Sequence, residues 1–304
     1  MAVKEFSGVF AALLTPRKAD DSVDASALTR LVEFLLSKGI DSFALNGATG
    51  EFCLARPQHL QTMLKTARKA SHGKARILCG IGGPSISTVC ALAEIAQEEG
   101  AAGLLLPMPY YFRYQRQDLD AFCRAAAKKT GLPILLYNLP QFSSGLDKET
   151  VRTLIAEVPT IVGIKDSGGS LDILRHLTES GSDACRIVGN DPTLRTALND
   201  GVCDGVVSGI ACVLPELILA LYAQGASAAS AQFDNSWEVL REIANQLDSL
   251  PTPWGLKWMA QERGIFEAKF AQPLSDGRVS QGMELQCWFR KWFQAAVSGG
   301  TMAV

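Results

Sequence analysis

The sequence predicts an α/β protein, a (β/α)8 barrel of the TIM type with a C-terminal helical extension. Two observations predict the barrel. Eight short apolar runs alternate with eight helix-period patterns, spaced about 20 to 30 residues apart, and such alternation calls for a parallel sheet. Eight units over roughly 220 residues is the ordinary size of a closed barrel. A third observation weighs against an open doubly wound sheet: no G-x-G-x-x-G follows the first strand, and no P-loop occurs in the chain. Residues 1–226 are expected to form the catalytic barrel and 227–304 the extension.

The run Gly8 to Leu14 reads as the first strand, closed by Thr15-Pro16. Asp24 caps a helix with Leu28, Leu31, Val32, Leu35 and Leu36 on one face, and Gly39 ends it. Ser42 to Asn46 is the second strand, followed by the loop Gly47-Ala48-Thr49-Gly50-Glu51. Pro57 opens a second helix, to about Ser71. Arg76 to Ile81 is strand three, and Ser85 or Ser87 caps the helix that ends at Gly100. Gly103 to Pro107 is strand four, with Tyr110-Tyr111 beyond it, and a helix runs from about Asp118 to Lys129. Pro133 to Asn138 is strand five, and Asp147 opens the fifth helix. Ile161 to Lys165 is strand six, with a helix from about Leu171 to Glu179. Arg186 to Gly189 is strand seven, with a helix near Pro192 to Asn199. Gly205 to Ser208 is strand eight, and a helix from about Leu214 to Ala223 completes the count. Beyond it, helical patterns cover Phe233 to Leu247, Trp254 to Arg263 and Ser280 to Val297. They carry all five tryptophans, which predicts packing on the barrel wall or burial between subunits.

Composition narrows the function. Hydrophobic residues make up 47% and charged residues 20%, as in a folded globular protein. A formal net charge of −2 without a basic block argues against a nucleic-acid or anionic-membrane partner. No apolar run has the length of a membrane span. Met1 to Phe6 carries no signal-peptide core, and the eight scattered cysteines lack a C-x-x-C pair, so reduced thiols in a cytoplasmic protein are expected. Three histidines and no carboxylate pair at ligand spacing give no reason to expect a metal site.

The chemistry gathers around Ile161-Val162-Gly163-Ile164-Lys165-Asp166. A buried strand that ends in a lysine has two readings. One is a solvated charge at the strand exit or an ion pair with Asp166. The other is an amine stripped of water, whose neutral form attacks a carbonyl. In a barrel, the C-terminal ends of the strands meet at one face. Ala48, Thr49 and Glu51 arrive there from strand two, and Tyr110 and Tyr111 from strand four. Tyr137 and Asn138 come from strand five, Asn190 and Asp191 from strand seven, and Ser208 from strand eight. One lysine among phenols and hydroxyls suits imine chemistry, in which a tyrosine moves protons during carbinolamine formation and dehydration. Thr49 and the neighbouring backbone N–H groups suit the carboxylate of a 2-keto acid.

The motifs Leu14-Thr15-Pro16, Gly47-x-Thr49-Gly50-Glu51, Pro109-Tyr110-Tyr111, Leu136-Tyr137-Asn138-x-Pro140 and Gly163-Ile164-Lys165-Asp166 resemble the dihydrodipicolinate synthase / N-acetylneuraminate lyase family of class I aldolases. The resemblance covers nearly the whole chain. It implies a (β/α)8 barrel with a helical extension, usually a homotetramer built as a dimer of dimers, acting on pyruvate or a 2-keto acid with no cofactor and no metal. It implies that Lys165 forms the Schiff base, that Tyr137 is the general acid/base, and that Thr49 holds the keto-acid carboxylate beside Gly47 and Ala48. Tyr111 resembles the tyrosine that reaches into the neighbouring subunit's site. Val207 stands where a backbone carbonyl faces the pyruvate moiety, and Gly189, Asp191 and Ser208 match positions that contact the sugar chain in the lyase branch.

Two departures bear on the substrate. The synthase branch has a second threonine where this chain has Ala48. It also has an arginine after the Tyr137 motif, where this chain runs Gln141-Phe142-Ser143-Ser144-Gly145. The expected function is therefore a pyruvate-dependent class I aldolase or lyase of a 2-keto-3-deoxy or 4-hydroxy-2-keto acid. The alternatives are a Schiff-base dehydratase of a keto-deoxy sugar acid, the lysine-pathway synthase, and a non-catalytic keto-acid binder. The Ala48-Thr49-Gly50-Glu51-Phe52 loop leans towards the dehydratase branch.

Overall fold

The computed structural model of the chain describes residues 4–225 and 231–298. Eight parallel strands close on themselves in sequence order: β1 (Gly8–Ala12), β2 (Ser42–Leu45), β3 (Arg76–Gly80), β4 (Gly103–Pro107), β5 (Ile134–Asn138), β6 (Ile161–Asp166), β7 (Cys185–Val188) and β8 (Gly205–Ser208). The closing pair is β1 with β8, in the register Phe10 to Val207 and Ala11 to Ser208. The helices between them are α1 (Ala25–Ser37), α2 (Pro57–Ala70), α3 (Ile86–Glu98), α4 (Arg116–Ala127), α5 (Lys148–Glu157), α6 (Asp172–Glu179) and α7 (Leu194–Asn199). After β8 come α8 (Pro215–Gly225), α9 (Ala231–Asp248), α10 (Trp254–Glu262) and α11 (Asp276–Ser298).

The predicted helix starts rest on real caps. The side chains of Asp24, Ser85 and Asp147 accept bonds from the N–H groups of Ala27, Thr88 and Thr150. Ser85 rather than Ser87 is the cap of α3. Two helices begin earlier than periodicity indicates. α4 starts at Arg116 because Gln115 and Asp118 form a reciprocal capping box. α11 starts at Asp276, one turn before the apolar pattern begins.

Side chains alternate across each strand, and this sorts the core into two layers. From β5, Ile134 and Leu136 pack outward against the helices, while Leu135 and Tyr137 point into the barrel. Phe6, Phe10, Leu78, Leu105 and Ile187 fill the barrel interior beneath Tyr137. In the extension, α10 and α11 lie close enough that a methyl on Gly282 would sit 2.1 Å from the Trp258 ring. Trp254 and Trp258 pack on Phe270, with ring centroids 5.4 and 4.7 Å apart, and Trp288 stacks on Trp292. These aromatic contacts hold the extension together. Among the described residues, no helix is long and apolar enough to cross a membrane.

Candidate active site

Strand alternation decides where Lys165 goes. Ile164 packs among the outer core residues, so Lys165 faces the barrel interior, and the sheet register sets it beside Tyr137. Its ammonium nitrogen lies 3.8 Å from the centre of the Tyr137 ring, and both residues are buried, at 3% and 2% exposure. Asp166 turns to the other face of the strand. Its Oδ1 accepts hydrogen bonds from Asn138 Nδ2 at 2.9 Å and from the Gly168 N–H at 2.8 Å. Burial nonetheless raises the Asp166 pKa, against the lowering effect of those two bonds. Asp166 is therefore no counter-ion to Lys165, and among the described residues the lysine forms no salt bridge.

Above Lys165 opens a cavity of about 350 Å³. Eight of the residues expected from the sequence line it: Lys165, Tyr137, Ala48, Thr49, Phe142, Gly189, Asp191 and Val207. Gly189 is required by close approach. A methyl there would lie 2.2 Å from Ser167 Oγ and 2.7 Å from Lys165 Cε, so only glycine leaves the lysine its place. Gly47 stands behind Tyr137, with the position of its missing Cβ 3.9 Å from the phenol oxygen. Ser208 faces the helix layer, as does its register partner Ala11, and its hydroxyl accepts from the Ala211 N–H at 3.1 Å. Tyr111 lies outside this cavity. It is 88% exposed, sits at a left-handed φ of 80°, and packs edge-on against Phe112.

Asp191 is the electrostatic anomaly of the cavity. The residue is half-buried, yet its Oδ1 is shut off from solvent and has no hydrogen-bond partner. Burial pushes its pKa up to about 6, against the lowering effects of Ser208, the Ile210 N–H and the Lys165 charge. An aspartate before a proline is by default a helix cap, but here Asn190 and Thr193 hold the cap positions and Asp191 is the first residue of the short turn between them.

Other contributors were hidden from sequence reasoning. The end of α9, the start of α10 and the segment joining them close one wall through Leu247, Leu250, Thr252, Pro253 and Leu256. Nothing in these residue types announces a site, since they read as ordinary packing and turn residues. Next to the first cavity, and sharing Ala48, Phe142 and Thr252 with it, lies a second of about 500 Å³, lined by Phe52, Leu54, Tyr110, Tyr111 and Trp254. Lys165 is the only cation among the described residues lining the first cavity, while Asp191 and Asp248 bring carboxylates to it. Among the described residues, no group of three or more His, Cys, Asp or Glu is arranged to hold a metal ion.

A family model described as the dihydrodipicolinate synthetase family matches residues 5–286. The chain is 32% identical over 265 residues to a 4-hydroxy-tetrahydrodipicolinate synthase of Shewanella sp. (strain ANA-3), covering 86% of this chain and 89% of that protein. It is 31% identical over 228 residues to a probable 2-dehydro-3-deoxy-D-pentonate aldolase of Escherichia coli (strain K12), covering 72% and 74% of the two. The crystal structure of dihydrodipicolinate synthase from Aquifex aeolicus matches with a TM-score of 0.87 at 25% identity, over 94% of this chain and 98% of that one. An N-acetylneuraminate lyase structure from Mycoplasma synoviae shares the fold, with a TM-score of 0.78 at 21% identity, over 93% and 98% of the two chains. A barrel of this topology, matched by one family along nearly its whole length, leaves no ambiguity of kinship: the chain belongs to the dihydrodipicolinate synthetase family.

Proposed function

We propose that the protein is a class I lyase that cleaves a 2-keto-3-deoxy or 4-hydroxy-2-keto acid to pyruvate and an aldehyde. The observation that carries this reading is Lys165, buried at the floor of a cavity, without a salt-bridge partner among the described residues, its nitrogen 3.8 Å from the Tyr137 ring centre. The neutral amine attacks C2 of the keto acid, and the carbinolamine loses water to give the imine. Tyr137 carries protons through both steps. The imine then accepts the electron pair of the C3–C4 bond as the C4 hydroxyl gives up its proton and the aldehyde departs. Protonation of the enamine at C3 and hydrolysis release pyruvate and the free lysine. The electron sink is the imine itself, so the mechanism calls for no cofactor. Thr49, with the N–H groups of the Gly47–Gly50 turn, holds the keto-acid carboxylate, and Asp191 and Phe142 face the aldehyde half.

A coupled assay of pyruvate release over a panel of 2-keto-3-deoxy acids tests the reading. Pyruvate formed in step with substrate loss is expected. Loss of water without pyruvate would replace the aldolase by a dehydratase using the same imine.

The exposed aromatic residues support the proposal of a multimer. Tyr111, Phe112 and Phe142 are 88, 65 and 57% exposed at the mouth of the site, beside the second, apolar cavity. Apolar surface of this kind is stabilised by burial against another copy, and Tyr111 is then free to enter the neighbour's site. Light scattering is expected to show a multimer, a tetramer built as a dimer of dimers. An active, stable monomer would remove both the assembly and the shared tyrosine.

A further inference from the structure

Beneath the Thr49 turn lies a buried ionic group that the mechanism above does not use. Glu51 Oε2 is 2.7 Å from Lys257 Nζ and 3.3 Å from Arg17 Nε. The three residues are 7, 0 and 3% exposed. Lys257 also donates to the Lys269 carbonyl at 3.0 Å, and Arg17 to the Asp21 carboxylate at 3.0 Å. One carboxylate oxygen therefore ties together the loop after β1, the loop after β2 and helix α10.

Burying three charges is costly, and a well-packed apolar substitute is often as stable or more so. Stability alone is a poor reason for this arrangement. What the group does provide is a fixed geometry. Glu51 stands at φ 58° and ψ 46°, a left-handed backbone that a side chain with a Cβ adopts only at a cost. The two cations hold it there, two residues after Thr49. Thr15 holds the same turn from below, its hydroxyl donating to the Gly50 carbonyl at 2.7 Å. The far side of Thr49 is bounded by α10 itself. A methyl on Gly209 would lie 3.1 Å from Thr49 Oγ1 and 3.0 Å from Leu256 Cδ1, so the hydroxyl and the residue preceding Lys257 crowd the same point.

We infer that Glu51, clamped by Arg17 and Lys257, is a positioning residue that makes the extension set the aim of Thr49 and its turn at the keto-acid carboxylate. The inference rests on the imine reading of the site and on the role given there to Thr49. The clamp acts on binding of the carboxylate, not on the reactivity of Lys165, because it touches neither Lys165 nor Tyr137. A displacement of about 1 Å in such a contact is worth on the order of 10²-fold.

The test uses pyruvate as the probe, and reads borohydride trapping on Lys165 against pyruvate concentration. Glu51→Gln is expected to raise the half-saturating pyruvate concentration roughly 10- to 100-fold and to leave the saturated trapping rate within about 3-fold. Thr49→Ala should raise it too, and the double variant should fall well short of the product of the two single effects, as expected when one residue acts largely through the other. Where Glu51→Gln does not fold, Arg17→Met, which keeps the Lys257 pair, should show the same signature at smaller size. An unchanged half-saturation in a folded variant, additive effects in the double variant, or a loss confined to the saturated rate overturns the inference. A wild-type protein that takes no label overturns the imine reading and this inference with it.

Discussion

Borohydride reduction in the presence of pyruvate is expected to leave one reduced pyruvyl group on Lys165, and none in Lys165→Ala. Peptide mass spectrometry locates the label. The expectation of a single site is a strong one, because the chain has a second lysine that is still more buried. Lys257 is fully buried, but its ammonium is bonded to Glu51 at 2.7 Å and to the Lys269 carbonyl at 3.0 Å. Its pKa is lowered, burial outweighing the attraction of Glu51, yet it lines neither of the two cavities described above. Lys165 has the cavity and, among the described residues, no salt bridge. Removing the nucleophile is expected to reduce turnover by roughly 10⁴-fold or more, since the covalent route then closes altogether. Label on Lys257, or label persisting in Lys165→Ala, would contradict this account of the chemistry.

The second large effect concerns the aldehyde half of the substrate. A carboxylate taken out of water needs a paired cation or several donors. The run from Gln141 to Gly145 brings no arginine, and the remaining charges on the described walls, Asp191 and Asp248, have the sign of the substrate. Arg113 and Arg116 do not repair this, since neither lines the cavity and Arg116 faces Asp147 at the surface. Lack of a charge-assisted bidentate contact costs on the order of 2 to 4 kcal/mol in transition-state binding, roughly 30- to 1000-fold in kcat/KM. Condensation of pyruvate with aspartate semialdehyde is therefore expected to be slower, by that order, than cleavage of a neutral-tailed 2-keto-3-deoxy acid. Equal or higher kcat/KM with aspartate semialdehyde would show that a cation reaches the site from elsewhere, for instance from a neighbouring subunit.

The barrel and the centre of its site were legible in the sequence because both depend on local pattern. Short continuous apolar runs, with helix-period patterns and caps such as Asp24 and Asp147 between them, specify the eight βα units, with helix starts off by as much as a turn. Once the units close in order, Tyr137 and Lys165 must meet, because they end adjacent strands on the same face. The lysine question illustrates where local pattern stops. Lys165 in Gly-Ile-Lys-Asp and Lys257 in Gly-Leu-Lys-Trp look alike, each a lysine that directly follows a glycine and a branched apolar residue. Along the chain they differ only in position: Lys165 stands at the end of a strand, and Lys257 inside a helix that carries two tryptophans.

What tertiary structure alone decided is which distant side chains reach these two amines. Glu51 and Lys257 are 206 positions apart, and no periodicity relates them. The same holds for Leu250 and Leu256, which line the cavity over Lys165 from an extension expected to pack on the barrel wall or between subunits. It holds for Asp191, whose oxygen loses solvent only when the strand-end loops fold over it. Strand and helix are set by neighbours along the chain, so composition and spacing determine them. Desolvation and ion pairing are set by neighbours in space, and for these residues space is arranged by the closure of the barrel and the docking of α10 against it.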